Sequence, residues 1–316
     1  MGKYRQIDLS NVETISIKRR KSKVRIADFA KAVGSKVSFR RFVDSLPRIL
    51  VAEDLRNLVE DIKRARRAKK PVIVLMGAHV IKVGLSPVII DLVRRKVVTA
   101  IGMNSAAVIH DVETAMWGKT SEDVSENILD GTFGMSKETG DFINETLLNE
   151  YYEGNTGFGE AVGARLVAVK ARYRKLSILG TCYRLNVPVT VHVGIGADIV
   201  HQQPTMSGSA TGELSFRDFK VLCQVVKDLQ GGGVVLNIGS AVILPEVFLK
   251  ALTVARNLGY PARGFTTANF DMIQHYRPRV NIVERPTMDG GKGYQITGHH
   301  EIMIPLLAAM ITSRLR

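Results

Sequence analysis

Long apolar runs are missing from this 316-residue chain. No stretch approaches the roughly 18 uninterrupted apolar residues of a membrane span, and the N-terminus, with Lys3, Arg5 and Asp8, lacks the apolar core of a signal peptide. A cytoplasmic protein without a membrane partner is expected. Cysteine is scarce as well: Cys182 and Cys223 lie in apolar helical patterns without metal or redox spacing, which excludes a disulfide framework and points to buried free thiols. The spacing Gly-x-Gly-x-x-Gly does not occur, so the standard dinucleotide fingerprint is absent. Neither His-x-x-x-His nor His-Glu-x-x-His occurs, and adjacent histidines on one helix point about 100° apart, so no metal is expected.

What is present is ordinary globular content. The chain is 45% hydrophobic, enough to bury a large core as one α/β domain or two. Its charge is lopsided: residues 1–70 hold 20 Lys+Arg against 8 Asp+Glu, and the remainder holds 24 against 22. The runs Lys18-Arg19-Arg20-Lys21-Ser22-Lys23 and Lys63-Arg64-Ala65-Arg66-Arg67-Ala68-Lys69-Lys70 can attract nucleic acid or an acidic partner. No aromatic residue interleaves them and no nucleic-acid motif accompanies them, so a solvated basic face is the plainer reading. Residues 1–70 read as a basic, helical N-terminal arm and 71–316 as the main domain.

From residue 71 onward the pattern alternates. The apolar run 71–76 suits a buried parallel strand, and a helical pattern follows over 85–95. Next come strand 97–101, a helix capped by Asn104, a long helical stretch over 159–185 and strand 187–193. The cycle continues with helix 215–229, strand 234–237, helix 244–258, strand 263–267, short strands at 280–283 and 294–297, and a helix from His299. The interval 119–158, rich in Gly, Asp, Glu and Thr, reads as an insertion with short helices. Such alternation argues an α/β fold with a doubly wound, mostly parallel, Rossmann-like sheet.

In an open parallel sheet, ligands bind beyond the carboxyl ends of the strands. Five turns expected there are built of small or polar residues: Gly77-Ala78-His79 with Lys82 and Gly84; Gly102-Met103-Asn104-Ser105-Ala106-Ala107; Gly194-Ile195-Gly196-Ala197-Asp198; Asn237-Ile238-Gly239-Ser240-Ala241; and Thr266-Thr267-Ala268-Asn269. Small residues let a backbone approach a phosphate or ribose, and they equally permit tight turns. His79, His110, His192, His201, His299 and His300, six of the seven histidines, fall in or beside such turns. Beside Asp198, Asp111 and Glu301 they can relay protons. Lys82 and Lys292 are the candidate amine nucleophiles.

From Pro71 to the C-terminus the chain resembles the deoxyhypusine synthase family. The resemblance rests on the turn with Gly84, on Val97 to Asp111, Val187 to Asp198 and Gly233 to Ser240, on Phe265-Thr266-Thr267-Ala268, and on Ile304-Pro305-Leu306-Leu307. Order and spacing agree better than the residues do. The resemblance implies a Rossmann-type fold, a homotetramer built as a dimer of dimers, and NAD as cofactor. The family uses NAD to oxidise spermidine before passing an aminobutyl group to a protein lysine.

Carried over by position, the cofactor side is partly kept. Thr267 and Ala268 stand in the family's Asn-Thr-Ala turn, Gly239 and Ser240 in its Gly-rich turn, and Asn104 and Ser105 in its Thr-Ala-Gly-Gly turn, while His299 and His300 replace an Asp and an Ala. The polyamine side is less well kept. Asp198 matches a substrate acid, but His110 replaces another ahead of Asp111, and Leu244 falls where the family has a histidine. The Trp-Gly-Lys segment with the catalytic lysine has no counterpart between Ala268 and Pro286, and Lys292 is the nearby Gly-Lys. A polycation needs several carboxylates, which histidines do not replace. The expectation is thus a deoxyhypusine-synthase-like, NAD-dependent transferase or redox-assisted C–N chemistry enzyme acting on a small molecule other than spermidine. The alternative is a non-catalytic nucleotide-binding or interaction protein. Catalysis is expected from Asp198, His110, His299 and Lys292, and NAD binding from Gly77, His79, Gly84, Asn104, Ser105, Gly239, Ser240, Thr267, Ala268 and His300.

Overall fold

The computed structural model describes residues 2–313 and 315. Two compact units divide the chain between Glu53 and Asp54. In the first, Ile26–Asp28 makes a 3-10 turn, and Ser38 caps α1 (Phe39–Ser45) by accepting the N–H of Arg41. Its apolar side chains, such as Ile7, Ile15, Ile17 and Ile26, are mostly exposed, so this unit has little core of its own.

The second unit begins within α2 (Leu50–Arg67), whose Leu55, Leu58, Val59, Ile62 and Ala65 recur at three and four residues and bury one face. Buried Asp61 accepts hydrogen bonds from Thr266 Oγ1 at 3.0 Å and Lys292 Nζ at 3.4 Å. Residues 54–70 are thereby integral to the main unit, and the boundary expected at residue 70 moves back along the chain.

Six strands form one sheet: β1 (Val72–Met76), β2 (Ala100–Asn104), β3 (Val189–His192), β4 (Val234–Ile238), β5 (Thr266–Asp271) and β6 (Lys292–Thr297), in the order β3-β2-β1-β4-β5-β6 with every neighbouring pair parallel. Between β1 and β2 lie α3 (His79–Lys82) and α4 (Ser86–Arg94). After β2 come α5 (Ser105–Trp117), α6 (Val124–Asn127), α7 (Lys137–Glu153), α8 (Phe158–Ala168) and α9 (Ile178–Arg184). Next, α10 (Gly208–Val226) precedes β4, α11 (Ile243–Asn257) joins β4 to β5, α12 (Tyr276–Pro278) precedes β6, and α13 (His300–Thr312) follows it. This is a six-stranded, all-parallel, Rossmann-like α/β fold.

All five residues of β1 are buried, as a central parallel strand requires. Leu222 and Val226 of α10 and Leu244, Phe248 and Leu252 of α11 close over Ile73, Leu75 and Val235. The long helix expected over 159–185 is instead α8 and α9. Lys170 takes a positive φ of 54°, and Asp111 draws the chain into a new helix start by accepting the N–H groups of Ile178 at 2.7 Å and Leu179 at 3.3 Å. The strand expected at 280–283 is a π-helix, Arg279–Glu284, in which Val280, Ile282 and Val283 are buried; a short apolar run cannot tell the two apart by periodicity. The insertion holds one long helix, α7, as well as the short α6. Among the described residues no helix is long and apolar enough to cross a membrane.

At the β3 edge of the sheet, side chains of α10 stand in for a neighbouring strand. Asp218 Oδ2 accepts the N–H groups of Val191 at 2.7 Å and Gly159 at 2.9 Å, while Ser215 Oγ donates to Val191 O at 2.9 Å and accepts Val193 N–H at 3.2 Å. An unpaired buried donor costs about 1–3 kcal/mol, so Asp218→Ala should lower stability in urea denaturation by roughly 2–5 kcal/mol. A change below about 0.5 kcal/mol, the range of ordinary surface substitutions, would contradict this edge-sealing role.

Candidate functional site

Strands β2 and β3 lie to one side of β1, and β5 and β6 to the other side of β4. Chains leaving β1 and β4 therefore diverge and open a crevice beyond their carboxyl ends, where ligands bind in such sheets. At its floor Gly77 N–H donates to Ile238 O at 3.0 Å, and a Cβ on Gly77 would come within 2.2 Å of Gly239 O. Gly239 has φ +65°, and a Cβ there would lie 2.6 Å from His300 Cε1. Both positions need glycine. The His300 ring is 2% exposed, and its Nε2 lies 3.1 Å from Phe270 O, so Nε2 carries the hydrogen. In the neutral tautomer Nδ1 is then an acceptor, and it has no partner among the described residues. The His79 ring, half-buried, sits 5.6 Å from it between centroids.

On the β1–β2–β3 side, Asn104 Oδ1 accepts Ala107 N–H at 3.2 Å and so caps α5. The next residue, Ser105, donates its hydroxyl to Asp198 Oδ2. The N–H groups of Gly196 and Asp198 both donate to His201 Nδ1 at 3.2 Å. Farther along α5, His110 Nδ1 lies 2.6 Å from Thr120 Oγ1, which donates to Glu113 Oε2 at 2.5 Å; Thr139 Oγ1 holds Glu113 Oε1 at 3.1 Å. Because the Thr120 proton points to Glu113, Thr120 accepts from His110 Nδ1–H. The basic nitrogen of His110 is then Nε2. Burial lowers the pKa of this half-buried ring, Glu113 and Asp198 pull it back up and Lys82 pushes it down, which favours a neutral imidazole at pH 7.

On the other side, a chain of amides crosses the strand ends. Asn237 Nδ2 donates to Ser240 O at 2.9 Å and Asn269 Oδ1 at 2.7 Å; Asn269 Nδ2 donates to Gln274 Oε1 at 2.7 Å; Gln274 Nε2 donates to Thr297 Oγ1 at 3.2 Å. Ser240 Oγ accepts Leu244 N–H at 3.2 Å, securing the start of α11. Asn237 Oδ1 is buried without a partner among the described residues.

Several expected site residues lie elsewhere. Thr267 and Ala268 are fully buried inside β5, paired with Val235 and Leu236, because the strand runs on to Asp271 instead of stopping at 267. Lys292 is corrected more severely: it opens β6 at the amino edge, bound to Asp61, some 16 Å from the carboxyl edge at about 3.3 Å per residue. His299 is exposed, its Nδ1 3.8 Å from Glu301, so of the adjacent pair only His300 enters the crevice. Gly84, with φ +79°, shapes the turn between α3 and α4. Sequence reasoning overlooked Thr120, Gln274 and Asp271. The acid following Phe270 was the available signal for Asp271; Thr120 reaches His110 through a fold of the chain that no local pattern marks. Among the described residues no group of three or more His, Cys, Asp or Glu is placed to hold a metal.

No protein-family model matches the chain, and no curated protein sequence does. Solved structures do match. A deoxyhypusine synthase candidate from Entamoeba histolytica gives a TM-score of 0.53 at 11% identity, covering 90% of this chain and 96% of its own. The fold is deoxyhypusine-synthase-like. AgrE, solved as a ternary complex with ornithine and NAD+, gives 0.53 at 13% identity, covering 83% of this chain and 33% of that one. ArgZ, an arginine dihydrolase of cyanobacteria, gives 0.51 at 14% identity over 84% and 32%. This chain thus spans about a third of those two proteins. At such identities the likeness concerns the fold.

His192, at the end of β3 with Nε2 2.9 Å from Thr190 Oγ1, is pushed down to about 4 by burial. The neutral ring's contribution is present above the unfolded value near 6.5 and is lost as pH falls toward 4, on the order of 3 kcal/mol. Imidazole 15N shifts should show His192 still neutral at pH 5. A midpoint above 6 would contradict that burial.

Proposed function

We propose that the chain is an NAD-dependent enzyme of C–N chemistry, a transferase or redox-assisted reaction, whose substrate is a small molecule unlike spermidine. The observation that carries this reading is the crevice between β1 and β4, floored by Gly77 and Gly239 and flanked by buried acceptors without donors, His300 Nδ1 and Asn237 Oδ1. A dinucleotide, with its ribose hydroxyls and amide, supplies donors of the kind those acceptors lack. The AgrE complex with ornithine and NAD+ lends support from a protein of like fold. Gly77, His79, Gly239, Ser240 and His300 would hold the cofactor. Bound there, NAD would supply the electron-pair acceptor for oxidising a carbon that bears an amine.

The chain's own residues prepare the proton steps. Glu113 and Thr120 fix the His110 ring so that Nε2 is free to take a proton, and burial keeps it neutral to do so. Asp198, held by Ser105, gives one carboxylate against which a substrate amine can be oriented. With Glu113 occupied by Thr120 and Thr139, Asp198 beside His110 and Lys82 suits a substrate with a single amine better than a polyamine. Assembly as a homotetramer belongs to the same proposal. The second reading, a non-catalytic nucleotide-binding protein, is favoured by one observation: Lys292, the Gly-Lys of the sequence, is bound to Asp61 at the opposite edge.

Calorimetry with millimolar NAD should give a saturable heat, and incubation with spermidine, NAD and the unmodified translation factor should give no deoxyhypusine by mass spectrometry. Silence with NAD, NADP and FAD alike would remove the dinucleotide reading. Robust deoxyhypusine would overturn the substrate reading and leave cofactor binding intact.

A further inference from the structure

A doubly wound sheet consists of two mononucleotide-binding halves, and in the half that takes adenosine an acid at the end of the strand after the glycine turn accepts the ribose 2′-hydroxyl. The two halves of this sheet differ at that position. In the β1–β2–β3 half, the strand that follows Gly77 ends in Asn104, whose side-chain oxygen is already occupied by Ala107 N–H. In the β4–β5–β6 half, the strand that follows Gly239 ends in Asp271. Asp271 is 9% exposed, and its Oδ1 accepts the N–H of Met272 at 2.8 Å.

Two buried acceptors without donors among the described residues belong to the same half. Asn237 Oδ1 stands one residue before the end of β4, on a side chain already bonded to Asn269 of β5, and His300 Nδ1 belongs to a ring bonded to the carbonyl of Phe270, the residue before Asp271. These two acceptors and the Asp271 carboxylate suit a ligand rich in hydroxyl and amino groups, as a ribose and an adenine are. His110 and Asp198, with the Ser105 hydroxyl that holds Asp198, lie in the other half.

Resting on the dinucleotide reading above, we infer that NAD lies with its adenosine over the β4–β5–β6 half, where Asp271 accepts the ribose hydroxyls and excludes a 2′-phosphate, and with its nicotinamide over the β1–β2–β3 half beside Asp198 and His110. This reverses the usual arrangement, in which the turn after the first strand and the end of the second hold the adenosine side. A carboxylate facing a 2′-phosphate is a like-charge contact, so Asp271 makes the site selective for NAD over NADP.

Calorimetry on the full chain with NAD, NADP and ADP-ribose tests the assignment. The wild type should bind NAD and ADP-ribose and prefer NAD over NADP by about tenfold or more; Asp271→Asn should weaken NAD and ADP-ribose by about tenfold and narrow the NADP gap, since a hydrogen bond to a charged group is worth about that. Asp198→Asn should leave ADP-ribose affinity unchanged. Equal wild-type affinity for NAD and NADP overturns the assignment without need of a variant, as does ADP-ribose affinity that falls with Asp198→Asn and not with Asp271→Asn. Absence of all binding to the wild type overturns the dinucleotide reading itself.

Discussion

The backbone contact between Gly77 and Gly239 is the constraint on which the candidate site depends. Strands β1 and β4 stay hydrogen-bonded through Gly77 N–H and Ile238 O, and then the two chains leave in opposite directions. A side chain at either glycine would force them apart or collide with His300. Everything at the carboxyl edge is arranged about that divergence: α3 and α5 carry His79 and His110 to one side, and α13 brings His300 back over Gly239.

Polar groups at this edge divide into those already satisfied and those that are not. Asn104 and His201 hold the start of α5 and the 194–198 turn, so their contribution is to stiffen the rim. His110 is oriented through Thr120 and Glu113, and Asp198 through Ser105, which presets two groups capable of handling a proton or an amine. The acceptors left without donors, by contrast, gather on the β4–β5–β6 side. A buried polar atom without a partner is costly, and a ligand that supplies donors removes that cost.

The sequence made the sheet legible because apolar runs bounded by glycine turns leave little choice for a buried parallel strand, and the turns at Gly77 and Gly239 lie where expected, whereas β2, expected over 97–101, runs on through Gly102 and Met103 to Asn104. Placement failed where it depended on strand length. One apolar-to-polar transition, at Thr267, looked like the end of β5, yet the strand continues because Phe270 is buried and Asn269 is satisfied by Asn237 and Gln274. The same error of edge put Lys292 on the wrong side of the sheet: glycines before a strand and glycines after one look alike in text. His299 and His300 could not be separated from sequence either, since only the helix start decides which ring turns inward.

The central claim is that ligand chemistry belongs to the carboxyl edge at the β1–β4 divergence. Hydrogen exchange of the full chain with and without saturating NAD tests it most directly. New protection is expected at 77–84, 104–106, 239–243 and 269–272, with no change at 231–232 and 290–292 on the amino edge. Protection confined to the amino edge, around Asp61 and Lys292, would contradict it.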